Sequence, residues 1–278
     1  MDENTHKSVL ITGCSSGIGH CVAMGLRNRG YRVFATARRP GDVQRLVDEG
    51  FDSLLLDLDR SETIASALAE VLERTDGRLY GLFNNGAYGQ PGAVEDLETD
   101  VLRAQFETNL FGWHELTRQI IPLMRAQGEG RIIQNSSVLG FVALTYRGAY
   151  NASKYALEGL SDTLRLELHG SGVFVSLIEP GPIESRFRAN AFEKWRHNID
   201  PEQSFHRDAY RAMAERLQKQ GPAVPFTLPP EAVLKRVIHA LESPRPRPRY
   251  YVTLPTYLFG TLKRLLPART LDRILRRT

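Results

Sequence analysis

The chain has 278 residues, 42% hydrophobic and 24% charged, ordinary globular proportions for a length that can bury one large core. No run of about eighteen apolar residues occurs, and the opening "MDENTHKS" lacks the charged-then-apolar order of a secretory signal, which excludes a membrane span and leads us to expect a soluble cytoplasmic protein. The net charge of +4 hides an asymmetry: from Arg245 onward nine basic residues face one acidic residue, so residues 1–244 carry −4.

Strand and helix signals alternate from the start. "SVLIT" is a short β-branched run, a glycine-rich turn follows, "HCVAMGLRNRG" has helical spacing, and "YRVFATA" is again strand-like. The strand-like runs continue with "DSLLLDL", "LYGLFNN", "GRIIQNSS" and "GVFVSLIEPG", separated by helical stretches, one of them long, from about Asp100 to Gln127. Such alternation predicts a single Rossmann-like α/β domain, a doubly wound parallel sheet with helices on both faces. Beyond about Arg186 the alternation stops. A polar, helix-prone segment over 186–225 reads as a substrate-lid insertion, and 244–278 as a basic C-terminal extension. The two cysteines, Cys14 and Cys21, form neither a disulfide framework nor metal-ligand spacing, and we read both as free thiols with no metal site.

In "LITGCSSGIGH", Gly13, Gly17 and Gly19 allow a tight turn and a close approach of backbone to a pyrophosphate, and the helix that follows offers unpaired N–H groups. Cofactors lacking a 2′-phosphate are held by a carboxylate about 20 residues after this loop. Here "ATARRP" has none. Arg38 can instead pair with a 2′-phosphate, with Ser15 and Ser16 supplying hydroxyls, so NADP(H) is preferred over NAD(H).

"AYNASKYALEGL" places Tyr150 and Lys154 about 40° apart around a helix, and Tyr155 about 140° away from Tyr150. The pair sits at the edge of the stripe formed by Ala156, Leu157, Leu160 and Leu164. A nearby ammonium stabilises a phenolate, which would bring a tyrosine from its usual pKa of about 10 toward the range of acid–base work. Tyr155 reads as packing.

"TGCSSGIG", "NNGA", "NLFG", "NSS" and "YNASK", in this order, resemble the short-chain dehydrogenase/reductase superfamily over about residues 8–185, and most closely its NADP-preferring steroid- and retinol-dehydrogenase-like branch. The resemblance implies NAD(P)-dependent carbonyl/alcohol chemistry and a tetrad of Asn109, Ser137, Tyr150 and Lys154. In it Tyr150 is the general acid/base, Lys154 lowers its pKa and bonds the nicotinamide ribose, Ser137 polarises the carbonyl, and Asn109 supports a water linked to Lys154. Asn109 also reads as a helix-kinking or backbone-bonding amide. Ser136 reads as a strand-end serine bonded to backbone. The resemblance further implies cofactor contacts from Ile18, Asp57, Asn84, Pro180, Gly181, Ile183 and Ser185, Asp57 being equally readable as a helix cap. Two departures from the family pattern stand out: Gly86-Ala87 in exchanged order, and Ser185 where threonine is common.

Leu139, Phe141, Val142 and Tyr146, with Phe187, Phe192 and Trp195 from the insertion, predict a pocket for a hydrophobic alcohol or ketone of steroid, retinoid, aliphatic or aromatic type. The alternative is a nucleotide-sensing binding protein on the same fold. The basic tail suits an anionic membrane surface or docking on the body or a partner subunit, and no aromatic-basic groove suggests nucleic acid. The family resemblance implies a homodimer or homotetramer.

Overall fold

Short β-branched runs closed by polar turns become the strands of one parallel sheet. In the computed structural model, which describes residues 7–219, 221–222 and 224–277, these are β1 (Ser8–Ile11), β2 (Arg32–Ala37), β3 (Asp52–Leu55), β4 (Gly81–Asn84), β5 (Gly130–Asn135), β6 (Val173–Glu179) and β7 (Arg249–Tyr251). Their order is β3-β2-β1-β4-β5-β6-β7, every pairing parallel. The helices are α1 (Gly17–Arg27), α2 (Pro40–Asp48), α3 (Ser61–Arg74), α4 (Thr99–Phe106), α5 (Gly112–Gln127), α6 (Gly148–Glu167), α7 (Phe187–Asn198), α8 (Arg207–Gln218), α9 (Glu231–Glu242), α10 (Leu254–Leu265) and α11 (Ala268–Leu275). Among the described residues no helix is long and apolar enough to cross a membrane.

Period-two alternation along the strands sends neighbouring residues to opposite faces. Val9 and Ile11 of β1 join Val22 and Leu26 of α1 and Val233 and Val237 of α9. Leu10, between them, joins Ile64 and Leu68 of α3, Trp113, Leu116 and Ile120 of α5, and Leu157 of α6. The sheet is therefore sandwiched between two helical layers and buried on both faces.

Three features differ from the sequence expectations. The alternation does not stop near Arg186, because α9 leads back to β7 at the sheet edge. β7 carries no periodic signal in the sequence, being three residues long and following Pro244, Pro246 and Pro248; prolines are tolerated at an edge, where no neighbour needs their missing N–H. Accordingly 244–278 is not wholly an extension, since Tyr250 and Val252 are buried in the core. Finally, the long helix over 99–127 is interrupted by a π-helical turn, Glu107–Phe111, between α4 and α5. In the inserted segment, α7 and α8 close a separate small core of Trp195, Ile199, Tyr210, Met213 and Leu217 against Ala93. The Tyr210 hydroxyl donates to Asp96 and accepts the Ala93 N–H at 2.8 Å, tying this helix pair to the loop after β4.

Candidate active site

The C-terminal ends of β1 and β4 flank the point where strand order reverses, the place where such sheets bind ligands. Gly13 turns there with φ +72°, and a Cβ on it would lie 2.5 Å from the Gly86 Cα. A Cβ on Gly19 would lie 2.2 Å from the Gly13 carbonyl, so α1 can meet the turn only with glycine at that position. Ser16, just before α1, makes no side-chain capping bond, which leaves the first-turn N–H groups open to an anion. Ser185, beyond β6, stands over the same turn: a Cβ on Gly17 would come within 2.9 Å of its own Cβ. A cradle closed to side chains and lined with uncapped donors fits the diphosphate of a dinucleotide.

Around this cradle the structure redistributes the predicted roles. Arg38 is exposed at the end of β2 and enters no ion pair among the described residues. The Asp57 carboxylate accepts the Asp59 N–H at 3.2 Å, while the helix it was offered to cap begins with no side-chain cap. Asn84 is buried, donating to Thr117 Oγ1 and Gln134 Oε1 at 3.0 Å each, so its side chain braces β4 rather than facing the cradle. Asn85 holds the turn instead, with Nδ2 donating to the carbonyls of Thr12 at 3.0 Å and Gly13 at 3.1 Å. The exchanged Gly86 fits the same path, its N–H donating to Thr12 Oγ1 at 2.9 Å. Ile18 and Ile183 pack against the core, the Pro180 carbonyl accepts the Val138 N–H at 2.8 Å, and a Cβ on Gly181 would lie 2.2 Å from Thr253 Oγ1.

α6 brings Tyr150 and Lys154 to one face, and Ser137, just beyond β5, approaches Tyr150. Ser137 Oγ accepts the Leu139 N–H at 3.1 Å and donates to the Pro180 carbonyl at 3.5 Å, and it stands close enough to the Tyr150 phenol to favour its ionised form. Lys154 is fully buried, its Nζ donating to the Asn135 carbonyl at 2.8 Å and lying 4.2 Å above the Trp113 ring. The Tyr150 ring centroid is 5.7 Å from that nitrogen. The expected electrostatics are not met by these groups alone. Burial pushes Tyr150 up to about 12 and Lys154 down to about 7, because exclusion of water penalises both charged forms. Asn109 sits in the π turn and bonds backbone: Oδ1 accepts the Tyr88 N–H at 3.2 Å, and Nδ2 donates to the Tyr88 carbonyl at 2.9 Å. Tyr155 points away, half-exposed beneath Lys263 of α10.

Of the predicted substrate contacts, Leu139 and Val142 are buried beside Ser137, and the Phe187 ring packs edge-on against Tyr150 at 5.3 Å between centroids. Phe141 does not join them; it stacks on Tyr251 at 5.6 Å. Tyr146 is drawn into the small core of α7 and α8, 5.8 Å from Tyr210 and 5.4 Å from His206, and Phe192 and Trp195 stack on each other within it.

Behind Lys154 lies a charged group that the sequence reading missed. Arg249 of β7 donates to Glu158 of α6 and to Glu179 of β6 at 3.1 Å each, and to Asp162 at 2.7 Å. One oxygen on each glutamate has no hydrogen-bond partner among the described residues, and burial raises both carboxyls, Glu179 to about 9. Ser136, expected to bond backbone, instead keeps a buried hydroxyl beside Glu158 under Gly140. No local motif flags these residues, because three separate elements bring them together.

The sequence profile of the short chain dehydrogenase family matches residues 7–196. An Escherichia coli (strain K12) protein described as the uncharacterized oxidoreductase YbbO is 46% identical over 97% of this chain and 94% of its own length. The 17-beta-hydroxysteroid dehydrogenase type 6 of Bos taurus is 33% identical over 98% of this chain and 88% of its own. Among solved structures, a short-chain dehydrogenase from Streptomyces avermitilis superposes with a TM-score of 0.77 at 28% identity, covering 95% of this chain and 94% of its own.

Proposed function

The chain belongs to the short-chain dehydrogenase family and is an oxidoreductase of that type, and from this premise we propose that it interconverts a hydrophobic ketone and alcohol with NADP(H). The observation that carries the reading is the convergence of Ser137, Tyr150 and Lys154 beside the glycine cradle, under an aromatic lid residue, Phe187. When bound, the nicotinamide supplies or accepts the hydride. Tyr150 gives its hydroxyl proton to the carbonyl oxygen in reduction and takes it back in oxidation. Ser137 orients that oxygen by donating a hydrogen bond. Lys154, anchored by the Asn135 carbonyl and Trp113, holds a positive charge near the phenol as it ionises. Asn109 fixes the Tyr88 segment that walls the site opposite α6.

Arg38, exposed and in no ion pair among the described residues, stands where other dinucleotide sites carry an acid, which supports the 2′-phosphorylated cofactor. Loss of this charge-assisted pair in Arg38→Asp costs about 2–3 kcal/mol, so the kcat/KM for NADPH falls roughly 30- to 150-fold while that for NADH holds or rises. An NADH preference in the wild type would refute the assignment. Leu139, Val142 and Phe187, with the steroid-dehydrogenase relative, support an apolar substrate. The test is NADPH consumption over a panel of ketosteroids, retinaldehyde and simple ketones with Tyr150→Phe as the blank; turnover of hydrophilic carbonyls alone would overturn it. Exposed Leu254, Tyr257, Leu258 and Leu265 on α10, beside Lys263 and Arg264, support peripheral contact with anionic membrane, tested by vesicle sedimentation with and without α10–α11.

A further inference from the structure

Arg147, Arg188 and Arg216, on the elements nearest the α7–α8 side of Tyr150, enter no ion pair among the described residues. Arg147 stands three residues before Tyr150, at the start of α6, and is held there by backbone pairing with Gly92, whose N–H donates to the Tyr146 carbonyl at 3.0 Å. Tyr146 in turn packs on Tyr210 of α8, so the lid is drawn against the residue next to Arg147. Arg188 follows Phe187, the aromatic packed on Tyr150, and its guanidinium donates to the carbonyls of Lys219 and, at 2.7 Å, Gly221. Those carbonyls lie about one turn beyond Arg216 on α8. The Arg188 guanidinium therefore lies at the C-terminal end of α8, close to Arg216, and Arg147 stands beside the Tyr146–Tyr210 contact that joins α8 to the start of α6.

Neither Arg147 nor Arg216 makes a side-chain hydrogen bond or ion pair among the described residues, although both are at least half-buried. Burial, then repulsion from Arg216, pulls Arg147 down to about 10, and burial with Arg188 nearby lowers Arg216. Arg147 also lies close enough to Tyr150 to favour its phenolate. Overall basicity does not explain the cluster. Residues 1–244 carry −4, yet 186–219 hold eight lysines and arginines against five acids. A buried, unpaired guanidinium is costly and like charges side by side add to the cost, so such a group is retained most cheaply where an anion arrives to neutralise it. The arginine fork matches a carboxylate or phosphate with paired donors.

We propose that Arg147, Arg188 and Arg216 form an anion-binding subsite beside Tyr150, and that the substrate is an apolar carbonyl or alcohol compound bearing a carboxylate or phosphate monoester. The carbonyl chemistry rests on the reading above; the recognition of the anionic group does not. The cofactor's phosphates would have separate partners in the glycine turn and Arg38, at the ends of β1 and β2.

The test is calorimetric titration of the NADPH-saturated protein with decanoate, decyl phosphate and decanol. One of the two anions binds at least tenfold more tightly than decanol, and the preferred anion identifies the headgroup. Arg147→Gln and Arg216→Gln each erase that advantage, while melting temperatures hold or rise because an unpaired charge has gone. Kinetically, a ketone-bearing decanoate shows a KM at least tenfold below its methyl ester, and the ratio collapses toward one in the variants. Equal affinity of the wild type for both anions and decanol overturns the proposal without any variant. So does an advantage that survives both substitutions, or one abolished by NADPH, which would give the arginines to the cofactor. If no ketone is reduced yet the calorimetric difference stands, the assigned chemistry fails and the subsite does not.

Discussion

Replacing Lys154 by methionine should make the protein more stable while removing turnover. The lysine is fully buried, and its fall from 10.5 to about 7 corresponds to roughly 5 kcal/mol of penalty on the charged form. Against this stand about 1 kcal/mol for the Nζ to Asn135 hydrogen bond and about 1–2 kcal/mol for the ammonium over Trp113. Methionine has similar length and fills the space without a charge. The net gain at pH 7 is about 2 kcal/mol, or roughly 4–8 °C in Tm for a domain of this size. Its pH dependence has a definite sign. Between about 7 and 10.5 the unfolded chain holds a proton on Lys154 that the folded chain lacks, so wild-type stability rises with pH across that window. The advantage of Lys154→Met is therefore fully present below pH 7 and fades toward pH 10. Scanning calorimetry of the cofactor-free proteins at pH 6, 7.5 and 9 measures it. A folded variant that melts below wild type at pH 6, or a difference that grows with pH, would refute the reasoning.

At Gly13, alanine must adopt φ +72° and place its Cβ 2.5 Å from backbone, so Gly13→Ala should lose about 2–4 kcal/mol of stability and weaken NADPH binding, read by denaturant unfolding and fluorescence titration. Glu179→Gln keeps the acceptor for Arg249 while removing a buried acid whose folded pKa lies well above its unfolded value. Wild-type stability from that group is complete below about pH 4.5 and is lost as pH rises, so the melting temperature of the variant relative to wild type should climb from pH 5 to pH 8. A flat difference would mean that Glu179 is already ionised in the folded protein.

Much of the frame was legible in the sequence because it is written in local periods. Alternating strand and helix signals led to a parallel sheet layered by helices, which is the architecture observed, and the ordered motifs led to the family. A rotation of about 100° per residue sufficed to part Tyr155 from Tyr150 and Lys154, and Tyr155 indeed turns toward α10. β7 was missed for a related reason: three residues among prolines carry no periodic signal, and pairing with β6 alone makes them a strand.

What only the tertiary structure decided is the charge and company of each side chain. The spacing of Tyr150 and Lys154 suggested an ammonium easing a phenolate; exclusion of water by Trp113, Phe187 and the strand ends pushes both groups toward neutrality. Asn84 and Asn85 are adjacent in sequence, yet one braces two helical and strand neighbours while the other holds the glycine turn. Arg147, Arg188 and Arg216 look like scattered charges in the sequence until α7 and α8 pack against the segment before α6. Helical phase and strand alternation depend on neighbours a few residues away, so a sequence contains them; desolvation and charge pairing depend on which distant segments shut out the water, and only the folded chain determines that.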